Sequence, residues 1–254
     1  MADLSSIKLF ATRPHPCSYI DSEEATTIFV DPATTIDAGI YSHLSELGFR
    51  RSGSHIYRPQ CATCNACIPI RVPTETFKAT RSQSRCFKKN RDLHIEQVSS
   101  IDCDEYFDLY KRYIEARHSD GDMYPPTRSQ FTDFLTTEWQ VTRYVIMRTP
   151  EGKLLSVAMA DVIESGISAI YTFFDPEEDK RSLGVYNVLS QIQWATELNL
   201  PYVYLGYWIK QSLKMNYKVN FQPFQVFVNN HWVTISCNKQ AKNNPATSPS
   251  TPPE

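Results

Sequence analysis

No stretch of this chain approaches the roughly eighteen consecutive apolar residues a membrane-spanning helix needs, so a helical membrane protein is not expected. Nor does the opening MADLSSIKLFATRPHPC carry a basic segment followed by a long apolar one, so no secretory signal is expected and the cytoplasm is the expected location. An excess of one charge is also missing. Lys and Arg number 26 against 28 Asp and Glu, a net charge of −2, so nothing global announces a nucleic-acid partner. Internal repeats are lacking as well. What is present can build a core: 41% hydrophobic and 12% aromatic residues over 254 positions exclude wholesale disorder and suit one large domain or two modest ones. Seven cysteines are an odd number, which disfavours full disulfide pairing. In a reducing compartment a tight cysteine cluster reads as metal-binding or catalytic.

Two local features stand out from this neutral background. The first is CATCNACIPIR, which sets Cys61, Cys64 and Cys67 at a spacing of three, as in the half-sites of zinc proteins. A ferredoxin run would need a fourth cysteine at position 71, where Arg71 stands. The fourth ligand is therefore sought in Cys17, His15 or His55, with Cys17 favoured because it has no helix face to fill. Without a metal, the same thiols would serve as small buried residues of a compact knuckle. Cys86, Cys103 and Cys237 are scattered and read as core or surface fillers. The second feature follows at once. Between positions 71 and 91, Arg71, Lys78, Arg81, Arg85, Lys88, Lys89 and Arg91 face only Glu75, so phosphate binding stands level with a solvated helix face.

Periodicity predicts an α+β protein: a small loop-rich N-terminal domain with the cysteine knuckle and basic helix (1–98), a second domain (99–237), and a disordered tail (238–254). In the first part a strand over TTIFVD, a helix from about 36 to 47 stopped by Gly48, a hairpin bent at Ser52-Gly53, a helix from Arg81 and the strand LHIEQV are expected. In the second, Asp102 is expected to cap a helix reaching Arg117, and Thr127 to cap another. Three strands, a long helix over about 182–198, the strand YVYLGYW, a helix near 212–219 and a final strand pair complete it. That element order resembles the GNAT acyltransferase fold. In acetyl-CoA-using members a Gly- or Ala-ended loop cradles the pyrophosphate at the long helix. RSLGVY keeps Arg181 and Gly184 but has Tyr186 at the last position, which argues against CoA.

CSYI, CATCNACIPIRV, TRSQSRCFKKNRDL, RHSDGDM, YTFFDP, RSLGVY and YLGYWIKQSLKMNYKVNFQP jointly resemble the bacterial branch of the arginyl-tRNA–protein transferase family, from about Ile7 to Trp232. The resemblance implies transfer of leucine from leucyl-tRNA to the N-terminal amine of proteins starting with Asp or Glu, marking them for N-degron proteolysis. It also implies a cysteine site holding zinc or an iron–sulfur cluster. The alternatives are an arginyl-tRNA donor with the same acceptors, an ordinary acetyltransferase, and a non-catalytic metal-knuckle RNA-binding module.

An aminoacyl ester is already activated, so neither ATP nor CoA is expected; the enzyme must position a neutral amine and stabilise an oxyanion. Asp161 and Asp175, at the ends of adjacent expected strands, are candidates to orient or deprotonate that amine, although the Asp-Pro at 175 also suits a turn. Tyr171 is the candidate to polarise the carbonyl, weighed against core packing. An acidic first residue calls for a cation in a partly desolvated pocket, with Arg81, Arg85, Lys88, Arg117, His118, Lys214 and Lys218 as candidates. Lys210, Lys214 and Lys218 would share one helix face and grip phosphates, while Tyr207 or Trp208 would stack a terminal adenine unless they fill the core. A monomer acting away from membranes is expected.

Overall fold

The computed structural model describes residues 7–135 and 140–236, so Cys237 and the tail expected to be disordered lie outside the described residues. The chain starts with β1 (Leu9–Ala11), the short pair β2 (His15–Pro16) and β3 (Glu24–Ala25), and β4 (Thr27–Val30). Helix α1 (Ala38–Glu46) follows; the Asp37 carboxylate accepts from the Ile40 amide at 2.7 Å, and Gly48, at φ 82°, ends the turn as its lack of a side chain allows. β5 (Arg50–Ser52) and β6 (His55–Pro59) form the hairpin expected at Ser52-Gly53. The order β1-β4-β6-β5 makes a small antiparallel sheet.

β7 (Ile68–Pro73), α2 (Arg81–Lys89) and β8 (His94–Val98) come next, then helices α3 (Asp104–Arg117) and α4 (Arg128–Leu135). The strands β9 (Thr142–Arg148), β10 (Leu154–Ile163) and β11 (Gly166–Phe174) form a meander. A 3-10 turn at Asp179–Arg181 leads into α5 (Leu183–Glu197), β12 (Tyr202–Trp208), α6 (Leu213–Asn216), a second 3-10 turn at Tyr217–Asn220, and the hairpin β13 (Phe224–Val228) and β14 (His231–Ile235). These strands build an eight-stranded sheet in the order β14-β13-β7-β12-β11-β10-β9-β8. β10 is buried along almost its whole length because both sheet faces are covered: α2 and α5 pack on one, α3 and α4 on the other.

Three details correct the sequence reading. α3 begins after Cys103 with no side-chain cap; Asp102 instead lies 3.5 Å from the Arg128 guanidinium. The helix expected near 212–219 splits into α6 and a 3-10 turn, so Lys210, Lys214 and Lys218 share no face: Lys214 is exposed and Lys218 buried. The large sheet also crosses residue 98, since β7 lies between β12 and β13 and β8 forms an edge. The remaining expected elements appear within a few residues, Thr127 included: its hydroxyl accepts from the Gln130 amide at 3.2 Å. Among the described residues no helix is long and apolar enough to cross a membrane.

β11 and β12, the one parallel pair among the described residues, stay hydrogen-bonded only from Gly166–Ser168 to Tyr202–Tyr204. Gly166 is required there, because a Cβ would sit 2.1 Å from the Tyr202 carbonyl oxygen. Beyond Ser168 the two strands part, and β12 skips Leu205 and Gly206 in its pairing with β7. The parted segment of β11, from Ala169 to Thr172, is half-buried, as is Gly206. Half-buried backbone is therefore left unpaired between the two strands at the parting.

Candidate functional site at the parted strands

The two carboxylates expected to work together are separated by the length of a hairpin. In register, Asp161 faces Ser168, whereas Asp175 follows Phe174, which faces Ser156. At ~3.3 Å per residue that places them roughly 20 Å apart. Asp161 is fully buried and saturated: Arg51 Nε and Nη2 donate to it at 2.8 and 2.7 Å, and the Tyr41 and Thr142 hydroxyls at 2.8 Å each. It locks the small sheet and α1 onto β10. Asp175 is held by Arg112 at 3.0 Å and Lys153 at 3.0 Å and accepts from the Glu177 amide at 3.1 Å. Burial pushes its pKa up, but Lys153, the Glu177 amide and Arg112 outweigh that, leaving it below the usual carboxylate range. It is a fixed anion at the start of the turn into α5.

Tyr171 points to the α3/α4 face. Its ring packs edge-on to Phe134 at 5.1 Å, and its hydroxyl meets the Met123 sulfur at 3.5 Å. Burial, with smaller contributions from Tyr113 and Tyr110, raises its pKa far above the ordinary phenol value, so it stays protonated. With the weakly accepting Met123 thioether as its partner among the described residues, this phenol is placed to donate. Tyr207 belongs to the core, its hydroxyl donating to the Gly48 carbonyl at 2.9 Å; Trp208 is half-buried and donates to Asn216 at 3.0 Å.

The expected cations divide into three groups. Arg81, Arg85 and Lys88 are exposed on one face of α2. That helix starts in a capping box, in which Thr80 Oγ1 accepts from the Gln83 amide and Gln83 Oε1 from the Thr80 amide. Gln83 also reaches the Asn220 carbonyl at 3.0 Å, so the start of α2 lies against the second 3-10 turn. Its other end docks on the turn before α5: Asn90 donates to the Arg181 carbonyl at 2.8 Å, and Arg181 pairs with Asp92 at 2.9 Å. The basic helix thus lies with the Asp175 end of the hairpin and away from Asp161. Arg117, His118 and Lys214 form the second group, at the end of α3: Arg117 pairs with Asp179, Lys214 with Asp120 at 2.8 Å, and His118 meets the Tyr113 hydroxyl at 3.3 Å. Burial, then the Lys214 charge, lowers the His118 pKa, so its imidazole is neutral at pH 7.

Lys218 stands alone among them. It is 5% exposed and donates to the Tyr207 carbonyl at 2.6 Å. Burial, then the charge of Arg50, pulls its pKa down to about 7. Arg50 is a residue the sequence reading passed over. The signal was present: adjacent arginines in a short strand must point to opposite faces, and both are buried here.

Cys17, Cys61, Cys64 and Cys67 line one pocket of about 850 Å³ together with His15, whereas His55 lines a separate one. Burial, then the neighbouring Cys17, Cys61 and Cys64, pushes the Cys67 thiol up to about 11. Among the described residues, however, no three His, Cys, Asp or Glu side chains converge as ligands on one point. The donor types suit a metal, but among the described residues their arrangement does not fit one. Cys86, Cys103 and these four are free thiols.

Two family models match the chain: the N terminus of arginine-tRNA-protein transferase over residues 15–85 and its C terminus over residues 105–228. Among curated relatives, the aspartate/glutamate leucyltransferase of Saccharophagus degradans is 58% identical, covering 92% of this chain and all of its own. That of Teredinibacter turnerae is 55% identical over 95% of this chain and all of its own, and that of Pseudomonas fluorescens (strain Pf0-1) 50% over 93% and all of its own.

Proposed function

The chain belongs to the arginine-tRNA-protein transferase family, and from that premise we propose that it moves leucine from leucyl-tRNA onto the α-amine of proteins beginning with Asp or Glu. It is an aminoacyltransferase. In the reaction the amine nitrogen bonds to the ester carbonyl carbon, the bond from that carbon to the terminal ribose oxygen breaks, and the ribose oxygen takes up the proton the amine gives up. The ester is already activated, so ATP and CoA have no part in this scheme. A free α-amine has a pKa near ~8, so a useful fraction is neutral at physiological pH and needs holding rather than strong base.

The observation that carries the reading is the parting of β11 and β12, where half-buried backbone is left unpaired between the two strands. Arg81, Arg85 and Lys88 form an exposed row suited to backbone phosphates of the donor. On the opposite face of the sheet the protonated Tyr171 of the parted segment is the donor nearest to hand for the oxyanion. The parted parallel pair joined by a long helix supports a GNAT-like arrangement. At α5 the Tyr186 ring packs edge-on against Phe87 of α2 at 5.7 Å, which covers the first turn that a CoA pyrophosphate would need. We infer a monomer acting in the cytoplasm, whose product carries a new N-terminal leucine that directs degradation.

The test offers radiolabelled leucyl-tRNA and arginyl-tRNA side by side to peptides starting with Asp, Glu, Lys or Ala. Label is expected from leucyl-tRNA on the Asp and Glu peptides only. Label from arginyl-tRNA instead would exchange the donor, and no label from either would overturn the reading.

A further inference from the structure

Two buried cations meet where β11 and β12 part, and neither has a carboxylate partner among the described residues. Arg50 is 5% exposed; its Nη2 donates to the Ala169 carbonyl at 2.6 Å, while its Nη1 is buried with no hydrogen-bond partner. Lys218, equally buried, is held by the Tyr207 carbonyl and lies 3.3 Å from the Met215 sulfur. Both approach Gly206. A Cβ built there would lie 3.8 Å from Arg50 Nε and 3.8 Å from Lys218 Nζ. Gly206, at φ 80° and outside the regular pairing of β12, keeps this point clear of a side chain.

The contrast with the next residue is instructive. Arg51, equally buried, has its charge answered by Asp161. A buried guanidinium with an idle nitrogen beside a buried ammonium is costly unless an anion completes it. Ala169, whose carbonyl holds Arg50, is the first residue of β11 past the last pair with β12, so the two cations stand where the strands begin to part.

We propose that Arg50, Lys218 and the bare backbone of Gly206 form the subsite that receives the side-chain carboxylate of the acceptor's first residue. This rests on the acceptor reading above and deepens it. The guanidinium offers its free nitrogen to one carboxylate oxygen and the ammonium takes the other. The narrow point where two strands begin to part suits one short acidic side chain, whereas the donor's phosphates are met by the exposed row on α2. An Asn- or Gln-initiated peptide brings an amide N–H toward two cations and is rejected.

The experiment measures kcat/KM for Asp- and Asn-initiated peptides of otherwise identical sequence, with leucyl-tRNA as donor, for the wild type, Lys218→Met and Arg50→Gln. Neutralising either cation is expected to cut the Asp-over-Asn preference by about tenfold or more, by the loss of one charged contact, with the KM for leucyl-tRNA unchanged. An unchanged preference in folded variants overturns the proposal. So does a raised KM for leucyl-tRNA with the preference intact, which would make the pair a phosphate site. Should the variants fail to fold, titration of the wild type with the dipeptide Asp-Ala is expected to shift the Gly206 and Lys218 amide resonances, and Asn-Ala is not. Equal or absent shifts there overturn the proposal too. Failure of the wild type to label any peptide would instead strike the functional reading, so the two failures are distinguishable.

Discussion

Two aspartates that look alike in the sequence have unlike surroundings. Asp161 is the anchor of a buried network with Arg51, Tyr41 and Thr142. Asp161→Asn leaves the Arg51 guanidinium buried without its counter-charge, and a loss of about 3–5 kcal/mol is expected. Denaturant unfolding checks the stability, and kcat per folded molecule, measured where the variant is still native, is expected to hold. A collapse of kcat in fully folded protein would return Asp161 to the chemistry. Lys218 gives a second residue-scale prediction. Its folded pKa of about 7 lies below the ordinary lysine value, so above pH 7 the unfolded chain holds a proton the native one has released. This group's contribution to stability therefore rises from pH 7 toward 9, with a slope of at most about 1.4 kcal/mol per pH unit. Arg50, the Tyr207 carbonyl and the Met215 sulfur face it from their own elements, and the Cys67 thiol, held up near 11, stays neutral across that window. Comparing pH-dependent unfolding of the wild type and Lys218→Met isolates the term; equal slopes would refute it.

At the scale of elements, α2 was readable because its signals are local. The capping box Thr80–Gln83 and the basic last turn lie within the helix itself. Its function is also separable from its fold, because Arg81, Arg85 and Lys88 point outward while Gln83, Cys86 and Asn90 are buried. Replacing the three cations with alanine is expected to leave the melting temperature within a few degrees. It should raise the KM for leucyl-tRNA, and flatten the log–log salt dependence of tRNA binding by up to about three counterions. Filter binding across a salt series measures this, and an unchanged slope would remove α2 from the donor path. The segment after β12 was less legible. Lysines at 210, 214 and 218 have helical spacing, yet the helix covers only Leu213–Asn216 before tightening into a 3-10 turn. Rotation of that turn, decided by burial of Lys218 beneath Tyr207, separates the three side chains.

Across the whole molecule, strands from both ends of the chain interleave. β7 supplies the partner of both β12 and β13, so a fragment of residues 99–236 lacks a central strand and bares the edges of both. That fragment is expected to aggregate or to show no cooperative unfolding by circular dichroism, whereas a chain ending at 236 should melt cooperatively. A cooperative melt of the 99–236 fragment would show that the halves fold independently. Element types, their order, the knuckle's thiol spacing and the family resemblance were in the sequence because periodicity, capping and motif spacing are short-range properties. Which charges answer one another was not. Arg51 meets Asp161 across 110 positions, Arg50 reaches β11 across 119, and Lys218 is set beside Gly206 by a break in a helix. Only the packed sheet brings such groups within a few ångströms, and desolvation acts only once they are there.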